Sequence, residues 1–146
     1  MNYSQEVVVN TSTQNAFEAL AKTVDKWWGK TDKPVNNVGD EFTITFGETF
    51  WKFRIVKFEE NKNLSYECYN AHHVHKGVTG IETEWIGTTL NWNLEKVEGK
   101  TKISFLHEGL VPDLNCYNIC EGAWNFFILD SLKNYLETGK GSPHII

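Results

Sequence analysis

The sequence predicts an α+β domain in which an antiparallel sheet of about six strands packs against one long C-terminal helix. Apolar and polar residues alternate with period two through much of residues 40–109, and the apolar period changes to 3.6 after Pro112. A short strand and a short helix precede both regions. A meander that is apolar on one face must bury that face, and only the C-terminal helix is large enough to cover it.

The N-terminal segment predicts a strand that leads directly into a helix. Residues 3–9 end in three consecutive valines, and β-branched residues favour a strand. Hydroxyl side chains at residues 11–13 supply an N-cap. Apolar residues then recur at three- and four-residue steps, so we expect a helix over residues 13–28. Residues 30–38 predict a loop.

The middle of the chain predicts strands joined by short turns. Its alternating stretches are separated by turns of Gly, Glu, Asn and Lys, which are typical of hairpins. With the N-terminal segment, the expected strands cover residues 3–9, 40–47, 50–59, 63–70, 85–97 and 100–109. Residues 70–82 lose the alternation and contain two glycines, so we predict an irregular, mobile segment there.

The C-terminal part predicts a single long helix. Asp113 is a suitable N-cap, apolar residues follow at helical spacing, and Gly139 marks the end. We therefore expect one continuous helix over residues 113–138, about 37 Å long at 1.5 Å per residue. The chain has no internal repeat, linker or block of charge, so residues 1–146 are expected to form a single domain.

Composition excludes several classes of partner. The 146 residues carry a net charge of −5 and a single arginine, whereas nucleic-acid binding needs clustered Arg and Lys, so we expect no nucleic-acid partner. No apolar run is long enough to span a membrane. The three cysteines are an odd number without a C-x-x-C pattern, which favours a reducing compartment. We expect a cytoplasmic protein with no membrane partner.

Aromatic residues make up 14% of the chain and include six tryptophans, which suit either a core or the wall of a ligand cavity. Composition does not distinguish these two uses. Trp85 and Tyr69 are also aromatic residues that could line a cavity, but they are not among the candidates. Those candidates are Trp28, Trp51, Tyr66, Trp92, Phe105, His107, Tyr117, Cys120 and Trp124.

His107 is the one candidate with acid–base chemistry. Glu108 is its neighbour on a strand, so the two side chains face opposite sides of the sheet and do not form a dyad. His107 shares the face of Ile103 and Phe105, which should point towards the long helix. Three interpretations stay open: a core histidine satisfied by a hydroxyl or carbonyl, a ligand anchor, or a general acid or base.

Two groups of residues resemble parts of a metal site. One is the loop set His72, His73 and His75, and the other is Cys116 and Cys120, one helical turn apart. Zinc needs three or four converging ligands, and these sets belong to different elements. We therefore expect solvated loop histidines, two buried cysteines, no metal and no cofactor.

Most of the chain resembles the helix-grip, START-like (SRPBCC) superfamily. Within it, the sequence is similar to the branch named for the C-terminal domain of the activator of heat-shock protein 90 ATPase. The similar segments are VVVNTSTQNAFEALAKTVDKWWG at 7–29, GDEFTITFG at 39–47, TTLNWNLEKVEGKTKISFLHEGL at 88–110 and SLKNYLETGKGSP at 131–143. The resemblance implies a curved sheet that wraps the C-terminal helix and leaves a cavity between them. Residues 70–84, with their histidine cluster, depart from the family pattern.

Three functions are compatible with this resemblance. The first is a protein that binds a small hydrophobic or aromatic molecule in the cavity, which needs only apolar walls and one or two polar anchors. The second is a protein-interaction or chaperone-related module, acting as a monomer or a homodimer. The weaker third is a cavity enzyme using His107, since some members of the superfamily are enzymes. No catalytic motif stands out, so enzyme activity is not our expectation.

Overall fold

The computed structural model describes residues 1–144. In chain order the elements are β1 (Tyr3–Val9), α1 (Thr13–Ala21), a 3₁₀ turn (Val24–Lys26), β2 (Lys30–Thr31), β3 (Glu41–Phe46), β4 (Thr49–Glu59), β5 (Asn63–His72), β6 (Thr89–Val97), β7 (Lys100–Glu108), α2 (Tyr117–Phe126), a π-helical turn (Phe127–Leu132) and α3 (Lys133–Thr138). The strands form one sheet in the order β1-β7-β6-β5-β4-β3-β2, and every neighbouring pair is antiparallel.

The sheet curls around the C-terminal helix. The pairing of β4 with β5 shifts register at two places, between Lys52 and Phe53 and between Ile55 and Lys57. Such β-bulges bend a strand and increase its twist. The inner face and the helix together bury a continuous apolar core. The predicted α+β architecture with a long C-terminal helix against the concave face is confirmed.

Most strands lie within two residues of their predicted bounds, with two differences. β2 was expected to be loop, but Lys30 and Thr31 pair with the end of β3. β6 begins at Thr89 instead of residue 85. The backbone N–H and the hydroxyl of Thr88 both donate to the carbonyl of Trp85, which closes a turn that a straight strand could not contain.

The first helix is shorter than the predicted span of 13–28. Ser12 caps it as the hydroxyl pattern indicated, but the α-helix ends at Ala21 and a 3₁₀ turn follows. Trp27 and Trp28 are consecutive, and both are almost completely buried. Side chains of consecutive helical residues point about 100° apart, so the chain leaves the helix to bury both.

The C-terminal helix is continuous from residue 117 to 138 but starts four residues later than predicted. Asp113 does not cap it. Instead, the carboxylate of Glu84 accepts the backbone N–H groups of Asn115 and Cys116, at 2.8 and 2.9 Å. The cap comes from a segment 31 residues away in sequence, so no local pattern reveals it. Within residues 1–144, no helix combines the length and the apolar character needed to cross a membrane.

Candidate functional site

A cavity of about 250 Å³ lies between the inner face of the sheet and α2. The sheet contributes residues of β3 and β4, and α2 closes the opposite side. The segment that follows β5 and the C-terminal tail complete the wall. The lining residues are Trp28, Phe46, Thr49, Trp51, His73, Val74, His75, Trp85, Ile119, Cys120, Ala123, Trp124, Phe127 and His144.

The walls of this cavity are flat and aromatic. Trp51 stacks on Trp85 with ring centroids 4.6 Å apart, and Trp85 stacks on Trp124 at 6.0 Å with an angle of only 11° between the rings. An engineered apolar cavity of about 150 Å³ binds benzene, so a volume of about 250 Å³ accommodates a molecule of about one or two rings.

Three polar atoms of residues in this wall lack a hydrogen-bond partner. They are the indole N–H groups of Trp51 and Trp85 and Nδ1 of His73, all of which are buried. Leaving such a group unpaired in a folded protein costs about 1–3 kcal/mol. Among residues 1–144, no lining residue is Asp, Glu, Lys or Arg, so this part of the wall offers donors and imidazoles but no carboxylate.

His107 lies behind the cavity with both ring nitrogens engaged. The indole N–H of Trp124 donates to Nδ1 at 3.1 Å. Thr88 donates its hydroxyl proton to the carbonyl of Trp85, so its oxygen accepts from Nε2 of His107, 2.9 Å away. These bonds define the neutral tautomer with the proton on Nε2. Burial lowers the pKa of His107 to about 3.

The nine predicted cavity candidates fall into three groups. Four line the cavity: Trp28, Trp51, Cys120 and Trp124. Tyr66, Trp92, Phe105 and His107 are buried in the aromatic core beside it, where the Trp92 indole donates to the Tyr66 hydroxyl at 2.9 Å. Tyr117 is half-buried at the first turn of α2, where its ring packs against the core and its hydroxyl donates to Glu121. Ligand contact by any of the nine stays a prediction.

Several lining residues were not among the candidates. Ile119 and Ala123 are four residues apart and lie beside Cys120 and Trp124 on the helix, so the helical period could have indicated that they line the cavity. His144 had no such signal. It reaches the cavity because its backbone N–H donates to the carbonyl of Trp28 at 2.9 Å, and its ring stacks on Phe46 with centroids 4.4 Å apart.

The histidine loop and the two helix cysteines meet at one end of the cavity. His72 and His75 are exposed as expected, but His73 is only 6% exposed. A ring nitrogen of His73 and the sulfur atoms of Cys116 and Cys120 all lie within 4.8 Å of one another. The expectation of solvated loop histidines is wrong for His73, because β5 continues to His72 and brings the next residue against the start of α2.

The two thiols at this end have different environments. A hydrogen bond from Cys120 lowers the pKa of Cys116, although burial opposes this effect. The same bond raises the pKa of Cys120, and burial raises it further. The neighbouring imidazole of His73 also lowers the pKa of Cys116. The arrangement therefore favours a thiolate at Cys116 over one at Cys120.

Comparison with known proteins agrees with this architecture. The chain is similar to the Aha1 dimer of Colwellia psychrerythraea, a solution structure, with 25% identity, a TM-score of 0.79, and coverage of 97% of this chain and 99% of that one. DynU16 from the dynemicin biosynthetic locus shares the fold at 18% identity and a TM-score of 0.75, over 98% of this chain and 50% of that one. So does MLL2253 of Mesorhizobium loti, at 19% identity, a TM-score of 0.72, and coverage of 88% and 92%.

A search of curated proteins found no match. The sequence profile described as "Activator of Hsp90 ATPase homolog 1-like protein" matches residues 10–137, which is most of the chain. The curled sheet around a long C-terminal helix agrees with this match and with the resemblance seen in the sequence. The chain therefore belongs to the Activator of Hsp90 ATPase homolog 1-like family and has a helix-grip fold.

Proposed function

We propose that this protein binds a small aromatic molecule carrying a hydrogen-bond acceptor, such as a carboxylate, in the cavity between the sheet and α2. The observation that carries this proposal is the pair of unpartnered indole N–H groups, on Trp51 and Trp85, in an aromatic wall. Indole N–H groups only donate, so the complementary ligand group is an acceptor. The absence of lining carboxylates and the presence of three histidines favour an anionic acceptor.

The two parts of such a ligand contribute differently to binding. The ring gains from the removal of apolar surface from water, whether or not an acceptor is present. A hydrogen bond to a charged acceptor adds about 1.5–3 kcal/mol, which corresponds to roughly tenfold to 150-fold in affinity. The size of the cavity and its donors together predict that the acceptor, and not the ring alone, determines specificity.

Calorimetric titration with 2-naphthoate and naphthalene tests this proposal. We expect 2-naphthoate to bind at least about tenfold more tightly than naphthalene. Trp51→Phe removes one N–H and should reduce this preference, since the loss of ring area affects both probes. Ala123→Leu fills the cavity and should weaken both probes. Asn118→Leu adds the same side chain at an exposed position of the same helix and serves as the control.

Two results would contradict the proposal. One is equal affinity of wild type for the two probes. The other is binding of 2-naphthoate that Ala123→Leu and Asn118→Leu leave equally unchanged, because binding would then occur outside the cavity. The enzymatic alternative that relied on His107 has no support in this geometry. That imidazole does not line the cavity, and both its nitrogens are engaged.

A role in protein interaction is the second candidate, because the chain is similar to a protein solved as a dimer. Phe126 and Leu129, three residues apart on the C-terminal helix, are 43% and 42% exposed and form an apolar pair for such a contact. Sedimentation equilibrium should show a homodimer that Phe126→Ser weakens and that Val56→Ser, on the outer face of β4, does not. A cytoplasmic location stays a prediction, supported by three free, buried cysteines.

A further inference from the structure

We propose that His73, Cys116 and Cys120 bind a Zn²⁺ ion at the edge of the cavity, through one imidazole nitrogen and two sulfur atoms. This site does not depend on the proposed organic ligand. It combines residues from two elements that are far apart in sequence: Cys116 and Cys120 lie one turn apart at the start of α2, and His73 follows the last residue of β5.

The spacing of the three groups is close to that of a zinc site. Their ligand atoms all lie within 4.8 Å of one another. Tetrahedral Zn²⁺, with Zn–S near 2.3 Å and Zn–N near 2.0–2.1 Å, separates two sulfurs by about 3.8 Å and a sulfur from a nitrogen by about 3.6 Å. Movements of about 1 Å or less bring the three atoms to these distances, which is within the range of small side-chain rotations.

The burial of the three groups also indicates a bound cation. All three residues are buried, and Nδ1 of His73 has no hydrogen-bond partner. An unpaired polar atom inside a protein is normally explained by a missing ligand, water or ion. The two thiols share a hydrogen bond, which the ion would replace with two metal–sulfur bonds.

Charge balance favours a divalent ion such as Zn²⁺ over a monovalent one. Each cysteine loses its thiol proton to solvent on binding, so two thiolates and a neutral imidazole around Zn²⁺ form a neutral group. Neutrality matters here because the cavity wall named above has no charged side chain, and the nearby carboxylate of Glu84 is itself negative and would not balance a second negative charge. Cu⁺ in the same site would leave one negative charge, and Mg²⁺ and Ca²⁺ prefer oxygen ligands.

The neighbouring residues hold the three ligands in place. The carboxylate of Glu84 accepts the backbone N–H groups of Asn115 and Cys116, which fixes the first turn of α2. The ring of Trp51 packs on His73 with centroids 5.1 Å apart. His73 and Cys120 both line the cavity, so a fourth coordination position would face it. Three protein ligands and an open position are typical of reactive zinc sites, whereas structural sites have four.

Titration with Co²⁺ as a spectroscopic substitute for Zn²⁺ tests the site directly. The full chain is reduced, stripped of metal with a chelator and titrated with Co²⁺. We expect one Co²⁺ per chain, thiolate-to-cobalt charge-transfer absorption with the intensity of two thiolates, and the strong visible bands of a tetrahedral ion. Added Zn²⁺ should displace Co²⁺ stoichiometrically, because the two ions compete for the same ligands and thiolates favour Zn²⁺.

The three cysteines supply a matched control. Cys116→Ser, Cys120→Ser and His73→Phe should each weaken binding by more than about 100-fold, since even partners outside the coordination sphere are worth 10–100-fold. Cys68→Ser should leave the titration unchanged, because Cys68 is also buried but donates to the carbonyl of Asn70. Circular dichroism shows whether each variant folds. If a variant does not fold, the charge-transfer intensity of the wild-type Co²⁺ spectrum still gives the number of thiolate ligands.

Three results would overturn the proposal: no Co²⁺ binding by the reduced wild type, the weak visible spectrum of a six-coordinate ion, or tight binding retained in Cys116→Ser. Failure of the zinc site and failure of the organic ligand are separable. Cys116 does not line the cavity, so a metal-free Cys116→Ser protein that still prefers 2-naphthoate would support the ligand proposal alone.

Discussion

The buried histidine predicts a specific loss of stability in mild acid. His107 is completely buried, and burial lowers its pKa to about 3, against about 6.5 in an unfolded chain. Protonation of Nδ1 would set an N–H group against the indole N–H of Trp124, which now donates to that nitrogen. The folded state therefore resists a proton that the unfolded state accepts readily.

The direction and size of the effect follow from linkage. A histidine with a depressed folded-state pKa contributes full stability above the unfolded pKa, and that contribution falls as the pH drops from about 6.5 towards about 3. Each pH unit in this window costs about 1.4 kcal/mol. Between pH 7 and pH 5, His107 should therefore lower the free energy of unfolding by about 2 kcal/mol.

Urea unfolding at pH 7 and pH 5 measures this loss, with His107→Gln as the reference. Glutamine retains one acceptor and one donor for the neighbouring indole and hydroxyl groups but does not titrate. The remaining histidines and carboxyl groups are present in both proteins, so their contributions cancel in the difference. Wild type should lose about 2 kcal/mol more than the variant. If the free energies of unfolding of wild type and variant changed equally with pH, His107 would titrate with an ordinary pKa. Its hydrogen bonds with Trp124 and Thr88 would then not be as described.

Three further substitutions test the packing around this region. Trp124→Ala should lower the free energy of unfolding by about 3–5 kcal/mol in urea, because it removes a buried ring that packs on Phe105 with centroids 4.5 Å apart; a loss below about 1 kcal/mol would contradict the core placement. Gly109→Ala places a Cβ 2.7 Å from Cγ2 of Thr88 at a φ of +104°, whereas Gly99→Ala meets no atom within 4 Å at a φ of +81°. Gly109→Ala should therefore lower the melting temperature further than Gly99→Ala, and equal losses would exclude the clash. Tyr66→Phe leaves a buried indole N–H unpaired and should cost about 1–3 kcal/mol in the same urea assay, which an unchanged midpoint would contradict.

The sheet and the long helix were predictable because their signals are local. The alternation of side chains along β4 places Trp51 on the inner face of the sheet without reference to any other segment. Helical spacing likewise places Cys120 and Trp124 on one face of α2. The period assigns a residue to a face but does not say how far along the element a cavity lies. For this reason Phe105 and Trp51 were equally good candidates, although only Trp51 reaches the cavity.

The remaining part of the site depends on contacts between distant segments. His73 and Trp85 belong to a stretch between β5 and β6 that has no period, so their burial follows from tertiary packing alone. The cap that Glu84 provides to α2 is equally non-local. The meeting of His73 with the two helix cysteines was therefore outside the reach of sequence patterns, although each residue was recognised as a metal-ligand type.

The π-helical turn allows one side of the C-terminal helix to face the sheet along most of its length. Cys120, Trp124, Ile128 and Leu132 are all buried and follow one another at intervals of four residues. In an ideal α-helix each such step overshoots a full turn by 40°, so three steps would carry the last residue 120° away from the first. The wider turn at Phe127–Leu132 rotates less per residue and removes part of this drift. Because the π turn takes up one residue more than an α-helical turn, deleting a single residue there would restore regular α-helical bonding and leave α3 facing β1 in nearly the same direction.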